Sequence, residues 1–127
     1  MFRLMIVDDS NIIRKRIERS INTMQFELVA VARDGLEAVS MFKQFSPDVV
    51  TMDLTMPNMD GLECIKQLHE LNPLANILVV SALSDKATGL LAIKHGARGF
   101  ICKPFTDEQL MDALNKLIQT PQIKRKK

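Results

Sequence analysis

Short apolar runs alternate with stretches of helical periodicity five times along the chain, and no other feature limits the possible folds as strongly. The runs fall at residues 2–7, 28–32, 49–53, 77–80 and 99–102. They are near-continuously apolar, the pattern of strands covered on both faces. Between the first two, Ile13, Ile17 and Ile21 recur every four residues within 11–24, one stripe of a helix. Ala38, Phe42 and Phe45 mark a second helix after the turn Asp34-Gly35, and Leu62, Ile65 and Leu68 mark a third, capped by Asp60 and stopped before Pro73. A fourth helix runs from about Asp85 to a left-handed cap at Gly96. The last opens with the capping box Thr106 and Gln109 and ends by Pro121.

Strand and helix in strict succession, joined by short loops, demand a parallel sheet with helices on both faces. Right-handed crossovers leave an open doubly wound sheet or a barrel, and five units are too few for the eight-unit barrel. The expected fold is therefore α/β, doubly wound and flavodoxin-like. A chain of 127 residues is one domain and buries enough surface to fold without a disulfide or structural metal. Cys64 and Cys102 lack CxxC spacing and are expected to be buried reduced thiols; His69 and His95 match no metal spacing and are expected on solvated helix faces.

No apolar run approaches the ~20 residues that span a bilayer, and the start, MFRLMIVDD, lacks the layout of a signal peptide. A cytoplasmic location, without membrane contact, is the expectation. The formal charge of +2 is misleading, because four of the 17 basic residues are Lys124, Arg125, Lys126 and Lys127. Without that tail acidic residues outnumber basic ones, so the basicity is a solvated end and no nucleic-acid-binding face is expected.

In an open sheet of this kind, sites form at the carboxyl ends of strands near the switch in strand order. Asp8 and Asp9 follow the first strand, Asp53 ends the third, Ser81 follows the fourth, and Lys103-Pro104 follows the fifth. The second ends in Ala32-Arg33, with nothing comparable. In the order 2-1-3-4-5 three carboxylates converge, and Lys103 alone cannot balance them. A hard divalent ion, Mg²⁺, suits the cluster and leaves coordination positions for a phosphoryl oxygen. Lys103 and the Ser81 hydroxyl would hold the remaining oxygens, and Asp53 becomes the candidate nucleophile. A lone strand-end aspartate is more often a cap, the reading given to Asp34, Asp48 and Asp60. The joint occurrence is what points to chemistry.

The motifs MIVDDS, VVTMDLTMPNMDG, VVSA and FICKPF identify a resemblance over residues 1–120 to the receiver domains of bacterial two-component response regulators, of the single-domain CheY-like chemotaxis type. The resemblance implies that Asp9 contacts Mg²⁺ directly and Asp8 through water, that the Thr55 backbone carbonyl completes the metal site, and that Asp53 is phosphorylated by a sensor histidine kinase or a small phosphodonor. Ser81 would follow the phosphate, Lys103 would pair with it, and the Lys103-Pro104 bond would be cis. Phe100 falls at the aromatic switch position, while Thr55 and Leu83 line the route of the hydrolytic water.

The implied function is that of a stand-alone, monomeric signalling switch rather than a turnover enzyme, with a flagellar motor switch protein and a phosphatase as expected partners. A receiver that passes phosphate to a histidine phosphotransfer protein, or one excised from a longer regulator, is the alternative. Ile93, Lys94, Arg98, Phe100 and Lys116 are the candidate output surface. An aspartate-based phosphohydrolase would want a second Asp where Thr55 stands, and a flavin binder would not place DDSN against a phosphate.

Overall fold

The computed structural model describes residues 1–21, 23–82 and 86–119. Five strands, β1 (Phe2–Val7), β2 (Phe26–Ala32), β3 (Val49–Met52), β4 (Asn76–Ser81) and β5 (Gly99–Cys102), form one parallel sheet in the order β2-β1-β3-β4-β5. The helices are α1 (Asn11–Ser20), α2 (Gly35–Phe45), α3 (Gly61–Leu71), α4 (Lys86–His95) and α5 (Asp107–Gln119). The fold is the doubly wound one that the alternation of runs implies.

Strand side chains point alternately to two cores, which is why the central strands read as unbroken apolar runs. Leu4, Ile6, Val49, Leu78 and Val80 pack with Ile17 of α1 and Leu110, Leu114 and Leu117 of α5. On the other face Met5, Val7, Val50, Met52, Ile77 and Val79 pack with Ala38 and Phe42 of α2, Ile65 and Leu68 of α3, and Ala92 of α4. With β1 and β4 on either side, β3 is buried throughout, and its carboxyl end opens at the centre of the sheet's upper edge.

Several boundaries differ from the sequence expectation for local reasons. The first helix ends at Ser20 rather than near Met24: the Ser20 hydroxyl donates back to the Arg16 carbonyl at 2.8 Å, and Ile21 turns to extended backbone. β2 begins two residues earlier than the apolar run, because Phe26 packs against Phe2 with ring centroids 6.0 Å apart. β3 stops at Met52, leaving Asp53 just beyond the strand, although its N–H still donates to the Val7 carbonyl at 3.0 Å. β4 includes Ser81 as its last residue. In α3, Cys64 is fully buried and Leu62 only half-buried.

Three assignments of exposure need correction. Cys102 is exposed, not buried, because it ends an edge strand covered less completely than the three central strands. His69 is half-buried instead of solvated: its ring lies against Gly96, where a Cβ would come within 2.7 Å of the imidazole. His95 is also half-buried. Gly96, at φ +130°, closes α4 in a conformation that side chains other than glycine rarely adopt. The expected start of the fourth helix at Asp85, the residue Leu83 and the basic tail 121–127 lie outside the described residues. No helix among the described residues is long and apolar enough to cross a membrane.

Candidate functional site

The first strand delivers its two aspartates into a turn that fixes Asp8. Asp8 N–H donates to the Ala32 carbonyl at 3.0 Å, extending the β1–β2 ladder past the strand. The Asp8 carboxylate accepts from Ser10 N–H at 2.9 Å through Oδ1, and Ser10 in turn caps α1, its Oγ accepting from Ile13 N–H at 3.3 Å. Arg14 reaches back from the first turns of α1, where Nη1 donates to the Asp8 carbonyl at 2.8 Å. Asp8 is 1% exposed and Asp9 faces solvent.

Asp53 is 4% exposed, at the head of the β3–α3 loop. That loop folds tightly back, with Gly61 N–H donating to the Leu54 carbonyl at 2.9 Å. A Cβ on Gly61 would stand 2.5 Å from Leu54 Cα and in collision with the Asp53 carbonyl, so only glycine allows this approach. From the far side comes Lys103, whose N–H donates to the Ser81 carbonyl at 2.7 Å. Its Nζ lies 2.8 Å from Asp8 Oδ2 and 3.5 Å from Asp53 Oδ1. The Lys103–Pro104 peptide bond is cis. Ser81 is buried at the adjoining strand end, in register with Cys102.

Asp8, Asp9 and Asp53 thus each present an oxygen within 4.8 Å of the others. Burial, followed by the charge of Asp8, pushes the Asp53 carboxyl up to about 6, against the opposing pull of Lys103 and of the Thr55 N–H 3.4 Å from Oδ1. One lysine facing three carboxylates leaves the cleft short of positive charge. The buried Asp8 Oδ2 makes its ion pair with Lys103 without an aligned hydrogen bond, so it retains acceptor capacity. Oxygens bound to one Mg²⁺ at ~2.1 Å stand at most about 4.2 Å apart. A cluster spanning 4.8 Å therefore closes around such an ion with sub-ångström shifts or through a water. The donor set is all oxygen, as that ion requires.

The remaining sequence candidates fall nearby with different contacts. Thr55 is exposed on the loop, and its described contact is the N–H to Asp53. Phe100 is half-buried in the middle of β5, its ring packed against Gly89 of α4, where a Cβ would be 3.1 Å from the ring carbons. Asp34, Asp48 and Asp60 are structural, as read from the sequence. Asp34 and Asp60 cap α2 and α3, accepting from Glu37 and Glu63 N–H at 2.8 and 2.9 Å. Asp48 accepts from Arg3 N–H at 2.8 Å.

One contribution to the site is absent from the sequence reading. The second strand end, which supplies no reactive group, anchors the loop that does. Asp34 Oδ2 accepts from Asn58 Nδ2 at 2.8 Å, while Met59 lies against Gly35. Asn58 sits at φ +69°, a left-handed position that asparagine tolerates. The PNMDG segment announces a turn, but its partner 24 residues away is legible only in three dimensions.

The family model for the response regulator receiver domain matches residues 4–115. The chain is 42% identical over 116 residues to the chemotaxis protein CheY of Listeria monocytogenes, covering 91% of this chain and 98% of that protein. It is 42% identical over 115 residues to CheY of Thermotoga maritima, covering 91% and 96%. The crystal structure of a CheX-CheY-BeF3-Mg+2 complex from Borrelia burgdorferi contains a chain that superposes with a TM-score of 0.88 at 31% identity, over 92% of this chain and 89% of that one. Sequence, fold and strand-end cluster agree: the chain belongs to the response regulator receiver domain family.

Proposed function

We propose that the chain is a phosphorylation-controlled binding switch of the CheY type, with Asp53 as the phosphoacceptor. The observation that carries this is the meeting of Asp8, Asp9 and Asp53 within 4.8 Å, with the Lys103 ammonium 2.8 and 3.5 Å from Asp8 and Asp53. An Asp53 oxygen attacks the phosphorus of a phosphohistidine on a sensor kinase, or of a small phosphodonor. From phosphohistidine the P–N bond breaks and its electron pair leaves with the imidazole, which takes up a proton; from acetyl phosphate the P–O bond breaks and acetate leaves; in both cases an acyl phosphate forms on Asp53. Asp9, Asp53, the Thr55 carbonyl and, through water, Asp8 are the groups that would hold Mg²⁺, which would neutralise charge on the transferring group. Lys103 pairs with the phosphate in place of the Asp53 oxygen, and the Ser81 hydroxyl donates to it. The BeF3 and Mg+2 in the Borrelia complex support this reading of the cluster.

The reaction sets a state; the chain is not a turnover enzyme. Phosphate on Asp53 biases Ser81, Phe100 and the loops above β4 and β5 between two arrangements. Output falls on the surface of α4, β5 and α5. On α4 Leu90 is 70% exposed, Leu91 and Ile93 are also open and Lys94 follows them, while α5 contributes the exposed Lys116. Such a surface suits an acidic amphipathic helix. The CheY relatives support chemotaxis. The partner assigned in this reading is a flagellar motor switch protein, with a cytoplasmic monomer as the acting form and a phosphatase as a further partner.

A state-dependent capture tests the output. Protein loaded with Mg²⁺ and beryllium fluoride is exposed to lysate, with Asp53→Asn as control, and bound proteins are identified by mass. Enrichment of a flagellar switch component in the loaded state alone is expected. Recovery of histidine phosphotransfer proteins without a motor component would favour a phosphorelay receiver. Identical capture by loaded protein and Asp53→Asn would contradict a switch altogether.

A further inference from the structure

Lys103 is the one cation among the described residues in ion-pair contact with the carboxylate cluster, so the placement of its loop sets the charge balance there. The loop between β5 and α5 is secured beneath by Phe105, 5% exposed in the core with α1 and α5. It is secured laterally by one residue of α1. Arg16 Nη2 donates to the Phe105 carbonyl at 2.8 Å, and the guanidinium carbon lies 5.4 Å from the Phe105 ring centroid. Its Nε is 3.4 Å from Oδ1 of Asp107, the first residue of α5, which also lies 2.7 Å from Ser20 Oγ.

As an exposed ion pair Arg16–Asp107 contributes little stability, with the side chains 43% and 69% exposed. The planar fork supplies geometry instead: it joins a carbonyl, a ring face and a carboxylate on both sides of one peptide unit. The same helix grips the other half of the site, since Ser10 caps it immediately after Asp8 and Asp9 and Arg14 holds the Asp8 carbonyl at 2.8 Å.

We propose that Arg16 is a positioning residue for Lys103, and that α1 is the strut that sets the distance between the ammonium and the carboxylates. The proposal rests on the reading of Asp53 as phosphoacceptor. Lys103 touches the reacting groups; Arg16 acts through it, two residues along the loop. Loss of the fork lets the Phe105 carbonyl swing and the ammonium drift from Asp8 and Asp53, while Phe105 stays in the core.

The test is a double-mutant cycle on the initial rate of phosphorylation by acetyl phosphate with Mg²⁺, read as intact mass because the chain has no Trp or Tyr to report it by fluorescence. Arg16→Met keeps an apolar stack on Phe105 and removes the donors. It is expected to slow the reaction on the order of threefold to tenfold in the parent and to have no further effect in Lys103→Ala, the non-additivity of groups acting as one network. Arg16→Lys, with one donor group instead of a fork, is expected to recover part of the rate. Urea midpoints measured on each variant separate this from unfolding; if Arg16→Met does not fold, Arg16→Lys carries the same cycle. An unchanged rate in Arg16→Met, or the same slowing with and without Lys103, would overturn the proposal. Failure of the parent protein to gain a phosphoryl group on Asp53 would instead contradict the function on which it rests.

Discussion

Burial and the charge of Asp8 push the Asp53 carboxyl above its ordinary range, and that has a thermodynamic consequence of definite sign. Its ordinary value is 3.8 and its folded value about 6. Between these the folded protein holds a proton that the unfolded chain has released, so stability falls as pH rises from about 4 to about 6 and stays lower above. In Mg²⁺-free buffer Asp53→Asn is therefore expected to raise the urea midpoint at pH 7, with the gain disappearing below about pH 4; equal midpoints at pH 7 would contradict the assignment. The two thiols make a second contrast. Burial pushes Cys64 up to about 12, whereas Cys102 is exposed, so a thiol reagent is expected to titrate one cysteine in native protein and two in urea. At this scale the reactive groups were legible because a carboxylate at the end of an apolar run is visible in one dimension. The Asp34–Asn58 tether, the Arg16 clamp and the burial of His69 were not, since each depends on a residue brought from a distant part of the chain.

Among the elements, the β3–α3 connection is the most tightly constrained, and two glycines show how. A methyl on Gly61 meets backbone, Leu54 Cα at 2.5 Å, and backbone cannot yield without moving Asp53. Gly61→Ala is expected to cost about 1–3 kcal/mol in urea unfolding despite alanine's better helix propensity, and to slow phosphorylation. A methyl on Gly89 meets only the Phe100 ring at 3.1 Å, and a ring can shift by a few tenths of an ångström. Gly89→Ala is expected to be neutral or stabilising by up to about 1 kcal/mol. A large loss there would show the ring to be immovable. The strands and the first three helices were legible in the apolar pattern, the last two helices in their end signals, and the caps at Asp34, Asp60 and Thr106 in local residue type. Ends were less so: the halt of α1 at Ser20 depends on a hydroxyl bonding back to the preceding turn, which periodicity does not register.

The whole molecule explains why one aspartate among many becomes reactive. Adjacent β1 and β3 bring Asp8, Asp9 and Asp53 to one edge; β4 and β5 add Ser81 and Lys103 beside them. The alternation of elements implied an open parallel sheet, and on the supposition of the order 2-1-3-4-5 the polar residues at the strand ends made the site's composition readable before its geometry. The distances could not, because they depend on how α1 and the β5–α5 loop seat against the sheet. An assembled metal-binding fold should be stabilised by the ion it binds: adding Mg²⁺ is expected to raise the urea midpoint of the parent protein and to have a smaller effect on Asp9→Asn. The most direct measurement is to incubate the protein with acetyl phosphate, with and without Mg²⁺, reduce the product with borohydride and map the modified residue by tandem mass spectrometry. A single Mg²⁺-dependent modification at Asp53, absent in Asp53→Asn, is the expected result. Modification elsewhere, or at Asp53 regardless of Mg²⁺, would contradict the account.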